Sequence, residues 1–172
     1  MGRKTWESIP LKFRPLKGRI NVVVSRKPHE LDLRSGESVL GVGSIQEGLR
    51  RLQGGFPAPS DARGGRQQRD GQEATELGRV FVIGGAEIYD HALRMVNCER
   101  ILWTRLGGEW ECDTFFPEGV LRVGGAGDAG GDGQWVRRSV EEMEEWVGEE
   151  GVGGLRKEGE VEFEMFMLER ER

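Results

Sequence analysis

The chain has 172 residues, enough for one domain with a hydrophobic core. Its 30 acidic and 25 basic residues give a formal net charge of −5 and a pI near 5.3, which argue against a general nucleic-acid binder. Hydrophobic residues make up 36%, no apolar run is long enough to span a bilayer, and the two cysteines form neither a metal motif nor a disulfide framework, so we expect a soluble cytoplasmic protein.

The N-terminal third of the chain alternates between helical and extended patterns. Arg3 to Ile9 is a predicted short helix that Pro10 ends, and residues 14–18 are a predicted turn. Residues 19–25 are β-branched and nearly continuously apolar, which is typical of a buried strand, and residues 38–42 form a second, weaker strand.

A capped helix follows the second strand. Ser44 is the predicted N-cap, and Glu47 stands three residues later, as in a capping box. The apolar positions recur at helical spacing, at Ile45, Leu49 and Leu52.

Two segments interrupt the pattern, and both are predicted to be flexible surface insertions. Residues 53–78 hold paired glycines, two prolines and several arginines. Residues 119–133 carry seven glycines in fifteen positions.

Between the two insertions, the pattern predicts a strand at 79–83, a glycine turn, a helix over 86–96 and a strand at 100–105. Residues 113–117 are a predicted apolar loop.

After the second insertion, strands are predicted at 135–140 and 161–168, joined by an acidic, solvated loop over 141–150. Alternating strands and helices followed by a terminal strand pair predict an α/β domain with a mixed sheet.

Three short patterns point to a dinucleotide. Gly2-Arg3-Lys4-Thr5 opens a helix, whose positive end and cations suit phosphate. The glycine pair in Val82 to Tyr89 lets backbone N–H groups approach a pyrophosphate, although it is not the G-x-G-x-x-G fingerprint. Ser25-Arg26, at a strand end, suits a 2′-phosphate and favours NADP over NAD.

Together, and in this order, these patterns resemble dihydrofolate reductase of the eukaryotic, fungal-like type. The matching strings are MGRKTWESIP (1–10), RPLKGRINVVVSR (14–26), VIGGAEIY (82–89), WTR (103–105) and DTFFPE (113–118). The resemblance implies a three-layer α/β fold with a mixed, mostly parallel sheet. It also implies hydride transfer from NADPH to dihydrofolate, binding of antifolates, and a monomer without a nucleic-acid, membrane or metal partner.

The resemblance assigns roles residue by residue. Cofactor phosphates, including the 2′-phosphate, would be held by Arg3, Lys4, Thr5, Ser25 and Arg26. The pyrophosphate and nicotinamide ribose would be lined by Gly84, Gly85, Ala86, Glu87 and Ile88. The aminobenzoyl group would pack on Ile9, Pro10, Phe13 and Leu16, with Arg19 on the α-carboxylate of the glutamate tail. Ile83 and Tyr89 would lie near the pterin–nicotinamide contact, and Thr104 would hydrogen-bond the catalytic carboxylate.

In the resembled family, the catalytic acid, the loop that closes over the nicotinamide and the first strands precede the Gly-Arg-Lys-Thr helix. We therefore expect residues 1–172 to be a single, N-terminally truncated domain that is inactive and poorly folded alone, with no catalytic acid of its own. Glu7 and Glu87 are expected to be solvated.

Two other functions are consistent with parts of the pattern. One is an NADPH-dependent pyrimidine reductase of riboflavin synthesis, which the carboxylate-binding string at 14–19 disfavours. The other is a non-catalytic nucleotide- or protein-binding remnant.

Overall fold

The computed structural model describes residues 1–33, 38–55, 77–117 and 135–171. It divides into two compact units, Met1–Ala92 and Leu93–Arg172, which are described separately below. The flexible insertions predicted at 53–78 and 119–133 lie largely outside the described residues. Within the described ranges, no helix has the length and apolar character needed to cross a membrane.

The first unit is built around two parallel strands, β1 (Asn21–Val24) and β2 (Val39–Val42). Asn21 pairs with Val39 and Val24 pairs with Val42, so both strands end at the same edge. Helix α1 (Arg3–Ser8) packs beside β1, and the short 3₁₀ turns Leu11–Phe13 and Pro28–Glu30 lie in the connections. The predicted helix and both strands are confirmed, each within two residues of its expected ends.

Helix α2 (Ile45–Gln53) follows β2 and packs on both strands. The hydroxyl of Ser44 accepts from the backbone N–H of Glu47 at 3.1 Å, which confirms the predicted cap. The Glu47 carboxylate accepts from the backbone N–H of Gly43 at 2.8 Å instead of closing a capping box on Ser44. A Cβ atom on Gly48 would lie 3.0 Å from Cγ1 of Val22, so a glycine permits the close approach of helix and sheet.

The prediction of a strand at 79–83 is wrong for the described structure. Residues 77–85 form no β-ladder, and Val80, Phe81 and Ile83 are 49%, 54% and 40% exposed. A strand is stabilised by ladder hydrogen bonds and by neighbours on its faces, and the described residues place no strand beside this segment. Helix α3 covers Ala86–Leu93, shorter than the predicted 86–96.

The second unit is an antiparallel sheet around one long strand. The sheet contains β3 (Arg100–Leu106), β4 (Trp135–Arg137), β5 (Gly154–Glu158) and β6 (Val161–Arg170), with β6 paired to the other three. The strands predicted at 100–105 and 161–168 are confirmed, whereas β5 was not foreseen. Mixed α/β content is as predicted, although antiparallel ladders outnumber the parallel one among the described strands.

The acidic segment predicted as a solvated loop over 141–150 is largely helical, and the strand predicted to reach 140 ends at Arg137. Helix α4 covers Val140–Val147. Ser139 and Glu142 form a reciprocal capping box, in which the Ser139 backbone N–H donates to the Glu142 carboxylate at 2.8 Å. Met143 is 2% exposed, so one face of the helix is buried. The cap and this apolar face outweigh the charge repulsion among the glutamates of α4.

The core of the second unit is aromatic. Its buried members are Leu93, Trp135, Phe166 and Leu168, with Cys98, Ile101, Trp103 and Phe116 packed around them. Trp103 meets Phe116 edge-on at 4.9 Å between ring centroids. Burial raises the pKa of the Cys98 thiol and outweighs the charge of Arg170, which acts in the opposite direction. The raised pKa keeps the thiol protonated and unreactive.

One carboxylate of β6 bridges the strands on either side of it. Glu164, whose side chain is 16% exposed, pairs with Arg105 of β3 at 2.6 Å and with Arg137 of β4. The hydrogen bond from Arg137 is the largest cause that lowers the pKa of Glu164, and the charges of both arginines add to it.

We expect the second unit to lose stability in acid through Glu164. Because its native pKa is lowered, the stabilisation is complete above the ordinary glutamate pKa and is lost as pH falls through the native value. Glu164→Gln should therefore flatten the acid limb of urea unfolding, followed by tryptophan fluorescence. Glu162→Gln is the control, since that exposed side chain pairs with Lys157 only at 3.8 Å; equal acid limbs for parent and Glu164→Gln would contradict the assignment.

Candidate cofactor and substrate site

The two helix starts predicted to bind a dinucleotide lie together in the first unit. The backbone N–H of Gly2 donates to the carbonyl of Gly84 at 2.7 Å. A Cβ atom on Gly2 would lie 3.1 Å from Cγ1 of Ile88, and one on Gly85 would lie 3.7 Å from Oγ1 of Thr5. The starts of α1 and α3 therefore share one surface, with the glycine pair between them.

The glycine pair allows this approach. Gly84 has φ +89°, and a Cβ there would lie 3.0 Å from the Tyr89 ring, so a side chain would be both strained and blocked. The Gly84–Gly85 peptide bond is cis. The Gly85 carbonyl accepts from the N–H groups of Ile88 and Tyr89 at 2.9 and 3.0 Å, which starts α3 directly after the pair.

The residues predicted for the 2′-phosphate lie at the neighbouring strand end. Gly2 forms a parallel bridge with Val24, so Arg3 and Ser25 each follow a bridged residue at the same edge. The Ser25 backbone N–H donates to the Val42 carbonyl at 2.9 Å, and its hydroxyl accepts from the Lys27 N–H at 3.2 Å.

The cations at this edge are accessible to a ligand. Arg26 and Lys4 are exposed. Arg3 pairs with Glu7 at 2.8 Å, with side chains 50% and 51% exposed, so that ion pair is weak and can yield to a phosphate. Among the remaining predicted cofactor residues, Glu87 is exposed, whereas Thr5, Ala86 and Ile88 are half-buried.

The residues predicted for the substrate tail follow α1. Ile9 and Leu16 are half-buried, whereas Pro10 and Phe13 are exposed, Phe13 at 55%. Arg19 is exposed, and its Nε donates to the Lys17 carbonyl at 3.2 Å. The segment thus presents apolar side chains and a guanidinium on one continuous stretch of chain.

Asn21 is a buried polar residue beside the predicted substrate loop, and the sequence reasoning did not single it out. It is 1% exposed, the one buried polar residue among those described, and its side chain bonds to the backbone of Leu16 and Arg19. The signal was present: an amide stands inside an otherwise apolar strand, where an unpaired polar group would be costly.

The residues predicted near the reacting rings are divided between the two units. Ile83 is 40% exposed, and burial raises the pKa of the Tyr89 hydroxyl, so Tyr89 stays neutral. Thr104 is exposed on β3, opposite Met165 of β6.

Neither carboxylate on the dinucleotide segments is placed as a buried acid. Glu7 and Glu87 are both exposed, as predicted, and Glu7 faces Arg3. No group of acidic, histidine or cysteine side chains among the described residues could hold a metal ion.

Comparison with known proteins identifies related chains. A family model described as "Dihydrofolate reductase" matches residues 1–121. A dihydrofolate reductase of Pneumocystis carinii is 35% identical over 171 residues, covering 99% of this chain and 72% of that protein. A dihydrofolate reductase of Schizosaccharomyces pombe is 31% identical, covering 96% of this chain and 34% of that protein. A bifunctional dihydrofolate reductase-thymidylate synthase of Glycine max is 41% identical over 117 residues. That match covers 68% of this chain and 19% of the Glycine max protein.

Proposed function

We propose that this chain, which belongs to the dihydrofolate reductase family, serves the NADPH-dependent reduction of 7,8-dihydrofolate to tetrahydrofolate in one-carbon metabolism. The observation that carries the proposal is the meeting of two helix starts at the glycine pair, joined by the hydrogen bond from Gly2 to Gly84. This arrangement places the backbone N–H groups of a helix start beside glycines that carry no Cβ, where a pyrophosphate would lie.

The cofactor would bind across this surface. Its pyrophosphate and nicotinamide ribose would lie along Gly84, Gly85 and the first turn of α3, formed by Ala86, Glu87 and Ile88. Arg3, Lys4 and Thr5 would hold phosphates from the α1 side. Ser25 and Arg26, at the end of β1, would hold the 2′-phosphate, which supports NADPH over NADH.

Arg26→Ala should weaken NADPH binding by about 1.5–3 kcal/mol, the contribution of a charged hydrogen bond, and leave NADH binding nearly unchanged. Lys27→Ala is a matched control, because Lys27 is the next exposed cation and pairs with Glu30 at 3.0 Å. Calorimetric titration of both nucleotides measures the difference. Equal NADPH affinity in Arg26→Ala and the parent would remove this assignment.

The substrate would extend from the reacting rings to the loop after α1. Ile83 and Tyr89 would lie near the contact between pterin and nicotinamide. The aminobenzoyl group would pack on the apolar side chains of the segment, at Ile9, Pro10, Phe13 and Leu16. Arg19 would receive the α-carboxylate in a two-pronged hydrogen bond.

The chemistry needs a hydride and a proton. When bound, NADPH supplies the hydride. Thr104 would hydrogen-bond the acid that supports pterin protonation. Glu7 and Glu87 do not suit that role, because both side chains are exposed and Glu7 is paired with Arg3.

Titration with methotrexate tests the proposal. Tight binding, comparable to that of a complete dihydrofolate reductase, would support a reductase site. If the chain binds neither methotrexate nor NADPH, the proposal is contradicted and a non-catalytic remnant is favoured. We also propose that residues 1–172 form a single domain with insertions at 53–78 and 119–133, acting as a monomer in the cytoplasm.

A further inference from the structure

The Asn21 side chain makes hydrogen bonds that strand pairing in the first unit does not require. It is almost fully buried, and its described side-chain hydrogen bonds run to the preceding loop. Its Oδ1 accepts from the Leu16 N–H at 3.0 Å, and its Nδ2 donates to the carbonyls of Leu16 and Arg19 at 2.9 and 3.1 Å. One amide thus joins both ends of the loop over 16–19.

The same residue is fixed from the other side by the sheet. The backbone N–H of Asn21 donates to the Ser38 carbonyl at 2.7 Å, and Asn21 pairs with Val39 in the parallel ladder. Because side chain and backbone are both held, the loop has a defined position relative to β1 and β2.

Arg19 depends on that position. Its side chain is exposed, and its Nε donates to the Lys17 carbonyl within the same loop. A long, exposed side chain has high rotamer freedom, so the direction from which it can meet a ligand is set by its backbone. That backbone is anchored by the bond from Asn21 Nδ2 to the Arg19 carbonyl.

We propose that Asn21 is a positioning residue for Arg19: it holds the loop so that the guanidinium meets the carboxylate tail of a folate. The inference rests on the proposed function for the identity of the ligand. A residue that served only to satisfy its own burial would affect all ligands of the unit equally, whereas a positioning residue affects those that carry the tail.

Asn21→Asp tests the donors selectively. It keeps the size and the acceptor for the Leu16 N–H, but it replaces two donated bonds with a carboxylate facing two carbonyls. In the full chain, methotrexate affinity should fall at least 10-fold more than affinity for a 2,4-diaminopteridine without the aminobenzoylglutamate group. Val23→Ala is the control, a fully buried position on the same strand that should weaken both ligands alike.

Amide hydrogen exchange gives a readout that does not need a ligand. In Asn21→Ala the Leu16 N–H loses its acceptor, so it should exchange faster than in Val23→Ala, while the backbone amides at positions 21 and 24 of the strand stay protected. Equal loss of affinity for tailed and tailless ligands, or unchanged exchange at Leu16, would overturn the proposal. If the parent chain binds neither ligand, the proposed function fails, and exchange at Leu16 still decides whether Asn21 holds the loop.

Discussion

Purified residues 1–172 should oxidise NADPH with dihydrofolate at least 100-fold more slowly than the dihydrofolate reductase of Pneumocystis carinii. Positioned acid–base assistance contributes roughly 10²–10⁴-fold to rate, and both carboxylates on the dinucleotide segments, Glu7 and Glu87, are exposed. The measurement is NADPH absorbance under saturating substrate, with the Pneumocystis carinii relative as the reference. Binding of NADPH without turnover would fit the expectation.

The same preparation should unfold in a broad, weakly cooperative thermal transition. Val80, Phe81 and Ile83 are 40–54% exposed in a segment without a ladder. Fully burying one large apolar side chain stabilises a domain by about 1.5–3 kcal/mol, so leaving three exposed forgoes much of a whole stability of about 5–15 kcal/mol. A sharp transition together with turnover close to the reference would show that both expectations are wrong.

Arg19→Leu should weaken dihydrofolate binding by roughly 3 kcal/mol, about 150-fold, because two charged hydrogen bonds to one carboxylate are lost. A pterin that lacks the glutamate should lose little affinity, since it never contacts the guanidinium. Equilibrium titration of both ligands against parent and variant gives the comparison.

The matched control for this prediction is Lys17→Leu. Lys17 is exposed and lies in the same loop, and it contacts Arg19 through its backbone carbonyl rather than its side chain. Lys17→Leu removes one positive charge from the loop, as Arg19→Leu does, but it keeps the guanidinium. Equal losses for both ligands in Arg19→Leu, or equal effects of the two variants, would contradict the role of Arg19.

Local signals in the sequence were sufficient where an element is stabilised by its own residues. The α2 cap at Ser44 and the β-branched run of β1 were predictable because capping and apolar burial act within a few residues. The strand at 79–83 was not, because its apolar pattern is satisfied only when other strands lie beside it. Helix α4 was missed because its run of glutamates was interpreted as a solvated loop. The capping box at Ser139 and Glu142 was visible in the sequence and would have indicated a helix start.

The sequence indicated that the two helix starts lie close together, whereas it did not indicate the hydrogen bonds that hold the loop over 16–19. The order of glycines and cations at helix starts along the chain indicated that the two segments lie together, and Gly2 does bond to Gly84. Asn21 acts through backbone atoms of Leu16 and Arg19, and no residue type at those positions reveals the bonds. Such contacts emerge only from the turn geometry.

Gly48 makes helix α2 dependent on its contacts with the sheet. A glycine inside a helix costs about 0.5–1 kcal/mol relative to alanine, and a helix of nine residues is shorter than those that persist alone in water. The residue that lets α2 approach Val22 therefore also weakens α2 before that approach is made. Helix α2 therefore depends on its packing against β1 and β2 for its stability.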